Sequence, residues 1–144
     1  MLNSKNEREL AYVVEIDEIR PIEGRDRVEC AVVGGWTVMV KKGQFKAGDL
    51  GIYFEIDSQV PEKEPFMFLE QKHFKIKTQK YALRDADGNR CGQFWSQGLL
   101  MHPSDFGWMY HVAESDKECI INGVTVYYAD DDSRFLTKEL GVIY

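Results

Sequence analysis

Residues 35–56 read G-W-T-V-M-V-K-K-G-Q-F-K-A-G-D-L-G-I-Y-F-E-I. Trp36, Val38 and Val40 alternate with Thr37, Met39 and Lys41. After a glycine-marked turn, Leu50, Ile52, Phe54 and Ile56 alternate with Gly51, Tyr53 and Glu55. A period of two belongs to a strand, whose successive side chains point to opposite faces. The pattern therefore predicts two strands, with Trp36, Val38 and Val40 in the core on one and Leu50, Ile52, Phe54 and Ile56 on the other. Working outward, Val14 and Ile16, then Val28, Cys30 and Val32, repeat the same alternation. Gly34-Gly35 predicts a tight hairpin turn, and Asp87-Gly88 and Asn122-Gly123 predict two more. Helical signal is confined to 61–72, which fits a short helix or irregular loop, and to a single turn at Pro103-Ser104-Asp105. Short strands joined by glycine turns predict a mainly all-β chain closed into an antiparallel barrel, because closure removes exposed strand edges.

Composition narrows the field. A chain of 144 residues, 44% hydrophobic and 12% aromatic, is one domain that buries about two-thirds of its unfolded surface. It holds no apolar run near the ~18–20 residues of a membrane span, and its polar N-terminus lacks the apolar core of a signal peptide. A cytoplasmic protein is expected. Cys30, Cys91 and Cys119 are odd in number and widely spaced, which reads as reduced structural thiols. His73, His102 and His111 show no ligand spacing, so no metal site is expected. The run Asp130-Asp131-Asp132 lacks the glycine-spaced frame of a calcium loop and reads as a solvated loop. The net charge of −6 argues against nucleic-acid binding as a whole, but residues 72–95 carry six basic groups against two acidic ones.

That basic segment begins F-K-I-K-T-Q-K at Phe74 and ends G-Q-F-W-S-Q-G-L-L at Leu100. Together with residues 35–56 it resembles the amino-terminal oligonucleotide-binding (OB) domain of the ATP-dependent RNA ligases. The likeness starts near Leu10, includes the loop at 20–29, runs to Met101, and returns at 136–142. It implies a five-stranded antiparallel OB-fold barrel with one or two short helices and an extra hairpin. Residues 1–144 would form a single domain, with 9–101 as the core barrel, 108–132 as an insertion and 133–144 as the lead-in to a catalytic domain. Residues 85–90 look like an enlarged turn. The resemblance also implies the function: an RNA-binding accessory domain that positions broken RNA ends for sealing by a nucleotidyltransferase domain in cis. ATP and magnesium would belong to that domain, and no cofactor is expected in this chain. None of its lysines begins the K-x-D-G of the adenylylation site, and no Walker loop, G-x-S-x-G or H-E-x-x-H is present. The chain is not expected to catalyse alone.

Candidate nucleic-acid contacts follow from charge and alternation. Lys75 and Lys77 alternate with Phe74 and Ile76, and Lys80 and Arg84 extend the same basic edge. Cations in a row suit a phosphate backbone, and equally suit a solvated strand edge that resists aggregation. Lys41, Lys42 and Lys46 form a second group around a turn, with Phe45 either stacking on a base or packing in the core. Trp95 and Phe94 point to opposite faces of a strand, leaving one free to stack. Ser96 and Gln97, in a Ser-Gln-Gly element shared with tRNA-binding OB domains of some synthetases, either contact RNA or hold a buried turn. Two other functions stay open at this point: a tRNA-binding OB module, and a protein-interaction OB domain with no nucleic-acid role.

Overall fold

Eleven strands and one 3-10 helix make up the described part of the chain. The structure, a computed structural model, describes residues 2, 5–102, 105, 109–112, 117–121, 124–127, 135–137 and 140–144, with only the backbone of the strands between 109 and 127. The expected turn at Asn122-Gly123, the aspartate run 130–132, and Pro103 and Ser104 lie outside the described residues.

The strands are β1 (Ala11–Glu15), β2 (Glu18–Ile22), β3 (Arg25–Val33), β4 (Trp36–Lys41), β5 (Leu50–Phe54), β6 (Gln79–Arg84), β7 (Arg90–Ser96), β8 (Leu99–Met101), β9 (Met109–Val112), β10 (Lys117–Ile121) and β11 (Val124–Tyr127). The 3-10 helix spans Met67–Lys72, inside the stretch expected to hold a short helix. All pairings among the described strands are antiparallel, in four sheets: β1-β5-β8, β2-β3-β4, β6-β7 and β11-β10-β9. Gly34 and Gly35 make the β3–β4 turn with φ of 52° and 87°, and Val33 pairs with Trp36 across it. Left-handed values at both positions match the strand twist of a two-residue hairpin.

A corner at Ile16-Asp17 lets one bent segment serve two sheets. Ile16 N donates to Asp49 O at 2.8 Å beside β5, and Asp17 N donates to Val32 O at 2.9 Å beside β3. The opposite seam, between β4 and the end of β7, carries no ladder. Gln97 N donates to Thr37 O (2.8 Å), Thr37 Oγ1 to Trp95 O (2.8 Å) and Met39 N to Ser96 Oγ (2.9 Å). The expected architecture thus holds in its coarser part: mostly antiparallel strands with little helix. The count of five strands and the closed barrel do not hold, because the described sheets stay separate ladders and the seam is stitched by single bonds.

The β1-β5-β8 sheet is buried on both faces, which alternation alone did not predict. Leu50, Ile52 and Phe54 join one cluster with Ala11 and Val13, while Tyr53 joins the other with Tyr12 and Val14. Val38, Val40, Ala31 and Val33 cover the second face. On the first face lie Phe66 and Leu69 of the 3-10 region, Phe74, Ile76, and Leu136, Leu140 and Val142 from near the C-terminus. Phe66 meets Phe54 edge-on with ring centroids 5.6 Å apart. Leu136 N donates to Ala11 O (2.8 Å) and Gln59 exchanges two backbone bonds with Ile143, so this late segment is a working part of the core.

Burial of both faces also explains a buried carboxylate at the edge of β5. Glu55, expected to face outward, accepts a hydrogen bond from Tyr12 Oη (2.8 Å) and one from Arg8 Nε (3.1 Å). Burial alone would raise its pKa, but the hydrogen bonds it accepts prevail and hold it below the usual value. Trp36 departs from expectation in the opposite sense. It stands exposed, because the β3–β4 turn carries it past the last layer of core residues.

Candidate nucleic-acid interface

The β6–β7 hairpin presents two different faces. Cross-strand pairs place Lys80 opposite Trp95, Tyr81 opposite Phe94, and Arg84 opposite Arg90. The even-numbered β6 residues are exposed and the odd-numbered ones half-buried. Trp95 is 50% exposed and the Lys80 ammonium lies 5.5 Å from its ring centroid. Lys80, Trp95 and Arg84 therefore share one solvated face, with an aromatic surface flanked by cations. Arg84 and Arg90 face one another at a register shift, a like-charge pairing that an anion would relieve. At the tip, Asp85 Oδ1 accepts from Asp87 N and Asn89 N, both at 3.0 Å, which turns its charge inward on the loop.

The other face of the hairpin looks toward the β2-β3-β4 sheet. Arg25 Nη2 donates to Ala82 O at 3.3 Å, and its guanidinium lies 5.1 Å from the Tyr81 ring centroid. Gly24 sits so close to β6 that a Cβ there would fall 2.2 Å from Arg84 O. These contacts tie the β2–β3 turn to the hairpin. In OB folds the sheet face and the loops flanking it engage oligonucleotides, and here two such loops are joined.

Lys75 and Lys77 are exposed while Phe74 and Ile76 are buried, as the alternation requires. The segment is not a ladder strand, however. Lys75 forms an isolated bridge with Gln59, and Ile76 holds the chain through bonds to Ser58 O and from Asp57 N. Lys77 Nζ pairs with Asp57 Oδ1 at 3.2 Å, an exposed ion pair of small energetic weight.

Lys41, Lys42 and Lys46 lie apart from this group, at the end of β4 and in the turn after it. All three are exposed, and their backbone amides are fixed by Gln44 Oε1, Arg27 O and Asp49 Oδ2 respectively. Phe45 between them is buried, 5.5 Å from the His102 ring, which answers the alternative left open in favour of core packing. Ser96 and Gln97 are turned into the seam: Ser96 is buried, and Gln97 receives the Tyr53 hydroxyl on its carbonyl at 2.7 Å. Burial pushes the Tyr53 phenol above its ordinary pKa, with the Glu55 charge adding to it. Burial likewise raises the Cys30 thiol, and desolvation with Glu23 nearby raises the exposed Cys91.

Reasoning from sequence did not single out Phe68, Lys72, Gln79 or Tyr81, yet they line one groove with Lys75, Lys77 and Ser96. The available signal was charge: Lys72 opens the basic segment.

An OB-fold domain model matches residues 10–103. The chain belongs to the OB-fold domain family. Among solved structures it is similar to the RNA ligase of Naegleria gruberi. A form with AMP and Mn is 31% identical over 94% of this chain, with a TM-score of 0.61. An apo form is 30% identical over 95%, also at 0.61, and a form with ATP and Mn is 30% identical over 94%, at 0.60. Each comparison covers only 35% of the ligase chain, so this OB domain spans about a third of those proteins. No curated protein matches it.

Among the described residues, no three His, Cys, Asp or Glu side chains converge. No described helix is long and apolar enough to cross a membrane.

Proposed function

We propose that this chain is the accessory domain of an ATP-dependent RNA ligase, which holds RNA beside a break while a nucleotidyltransferase domain in cis adenylylates and seals the ends. The observation that carries the reading is the likeness to an RNA ligase at about 30% identity over nearly the whole of this chain but a third of that one. ATP and a divalent cation act in the catalytic domain, and the residues described here supply neither ligand nor base to them. Their part is binding and orientation.

The contacts are electrostatic and stacking. Lys75, Lys77, Lys80 and Arg84 track phosphates, Trp95 offers a ring to a base, and Lys41, Lys42 and Lys46 extend the footprint toward a flanking duplex. Ser96 and Gln97 support the site through the seam that fixes the base of the hairpin. The substrate is RNA or a nicked RNA-containing duplex, in the cytoplasm, where Cys30 and Cys91 stay reduced. Because the chain is acidic overall, the domain alone binds weakly, and a tethered catalytic domain raises the effective concentration.

The gene itself tests the arrangement in cis. An open frame containing K-x-D-G downstream of the codon for Tyr144 is the expected result. An immediate stop codon would contradict it, leaving an OB protein that acts without a linked catalytic domain.

A further inference from the structure

Between the 3-10 helix and the inner face of the β6–β7 hairpin runs a groove of about 220 Å³. Its size falls below the roughly 300–1,000 Å³ of pockets for drug-sized ligands. Leu69, Ile76 and Val38 contribute an apolar floor, and all three are largely buried. Phe68 stands on the rim with 60% of its surface exposed, an unusual state for a phenylalanine beside a cavity. Lys72, Lys75 and Lys77 border the same groove, and no carboxylate is among its described lining residues. In a chain with 24 acidic and 18 basic residues, a cavity whose described charged lining is all lysine is a departure from the average composition. Asp57 approaches it on Lys77.

Gln79 gives the groove a polar wall. The Tyr81 hydroxyl donates to Gln79 Oε1 at 2.5 Å, which directs the amide NH2 away from that bond as a donor for another acceptor. An exposed ring, an amide donor and a rim of cations form the set of groups that holds one unstacked nucleotide: a face for stacking, a donor for the base edge and charge for the flanking phosphates.

We infer that this groove is a subsite for a single unpaired nucleotide of an RNA strand, with the base on Phe68 and its phosphates on Lys72 and Lys75. The inference rests on the proposed RNA-binding function and adds a second point of contact, across the hairpin from Trp95. Lys80 and Trp95 hold one part of the strand on the outer face, and the groove holds an extruded nucleotide on the inner one. A fully paired duplex cannot supply that nucleotide without opening, so the groove favours ends and gaps.

The test is anisotropy of a labelled short single-stranded RNA and of a blunt RNA duplex, with wild type, Phe68→Ala, Phe68→Tyr and the pair Lys72→Glu, Lys75→Glu. Phe68→Ala is expected to weaken single-strand binding roughly 5- to 100-fold, the range of one lost stacking contact. Duplex affinity should be unchanged, and Phe68→Tyr should restore binding. The lysine pair should reduce the salt slope for the single strand by about 1.4, at about 0.7 per phosphate contact. Because Phe68 is exposed, its variants should melt with wild type. If wild type binds the single strand and both variants match it, the groove is not the subsite, while the proposed function stands. Saturation of the groove by AMP alone, with no preference for a strand, would make it a mononucleotide pocket instead. Loss of self-association in Phe68→Ala at constant RNA affinity would make it a protein contact. If wild type binds no RNA at low salt, the groove assignment and the proposed function fail together.

Discussion

Gly98→Ala probes the seam on which the whole interface depends. Gly98 adopts a φ of 90°, and a Cβ there would lie 2.6 Å from both Phe54 O and Tyr53 Oη. Neither neighbour can retreat. Phe54 O belongs to a buried strand, and the Tyr53 side chain is fully enclosed. The left-handed backbone costs an alanine about 1–2 kcal/mol. Crowding a packed site adds about 1–3 kcal/mol, and displacing Tyr53 Oη from Gln97 O loses about 1 kcal/mol more. The expected loss is about 3–6 kcal/mol, and at ~3 °C per kcal/mol for a chain of this size Tm should fall roughly 9–18 °C. Gly34→Ala is the control, since its φ is also positive but no atom lies within 4 Å of the added Cβ. It should lose only the backbone share. Thermal unfolding followed by circular dichroism reads both. Equal shifts for the two variants, or a Gly98→Ala midpoint within ~2 °C of wild type, would refute the close packing of the seam.

Ser96→Ala should cost about 1–3 kcal/mol by leaving Met39 N without its acceptor, while RNA affinity of the folded variant stays within about twofold; a large affinity loss at unchanged Tm would make Ser96 an RNA contact. Replacing Lys75 and Lys77 together by Glu should weaken RNA binding, with a salt slope reduced by about 1.4 and an unchanged melt; wild-type affinity would remove both from the interface. Glu55 sets an acid limit on stability. Its folded pKa lies below the ordinary value of about 4.3, so the stability it contributes is complete above that pH and is lost as pH falls through the lowered folded value. Urea midpoints from neutral to acid pH should drop less steeply for Glu55→Gln than for wild type, and parallel curves would refute the assignment.

Strand positions were legible because alternation is written locally. Val38, Val40, Leu50, Ile52 and Phe54 all face inward as their spacing requires, and Gly34-Gly35 turns where its dipeptide says. Two-sided burial was not legible. Tyr53 and Glu55 occupy positions that read as outward, but Ala31, Val33, Val38 and Val40 lie over the same sheet and bury Tyr53, while Arg8 and Tyr12 enclose Glu55. Those residues are distant in sequence, so no local period reports them. Trp36 shows the opposite failure, since its apolar character predicts burial but its place at the end of a hairpin decides exposure. The site followed the same division. Lys75 and Lys77 were readable from alternation with Phe74 and Ile76, and Trp95 from its neighbour Phe94. The separation of Lys80 and Trp95 from the groove, by the thickness of one hairpin, depends on cross-strand register that a single sequence leaves open. Phe68 and Lys72 reach the groove only through the placement of the 3-10 helix beside Gln79 and Tyr81, which no local pattern encodes.

Titration of the chain with short RNA across a range of salt concentrations asks whether this domain grips RNA through its phosphates. Binding should be weak, with Kd on the order of 10⁻⁴–10⁻⁶ M, and log affinity should fall linearly with the logarithm of salt. Absence of binding at low salt, or a tight complex indifferent to salt, would contradict it.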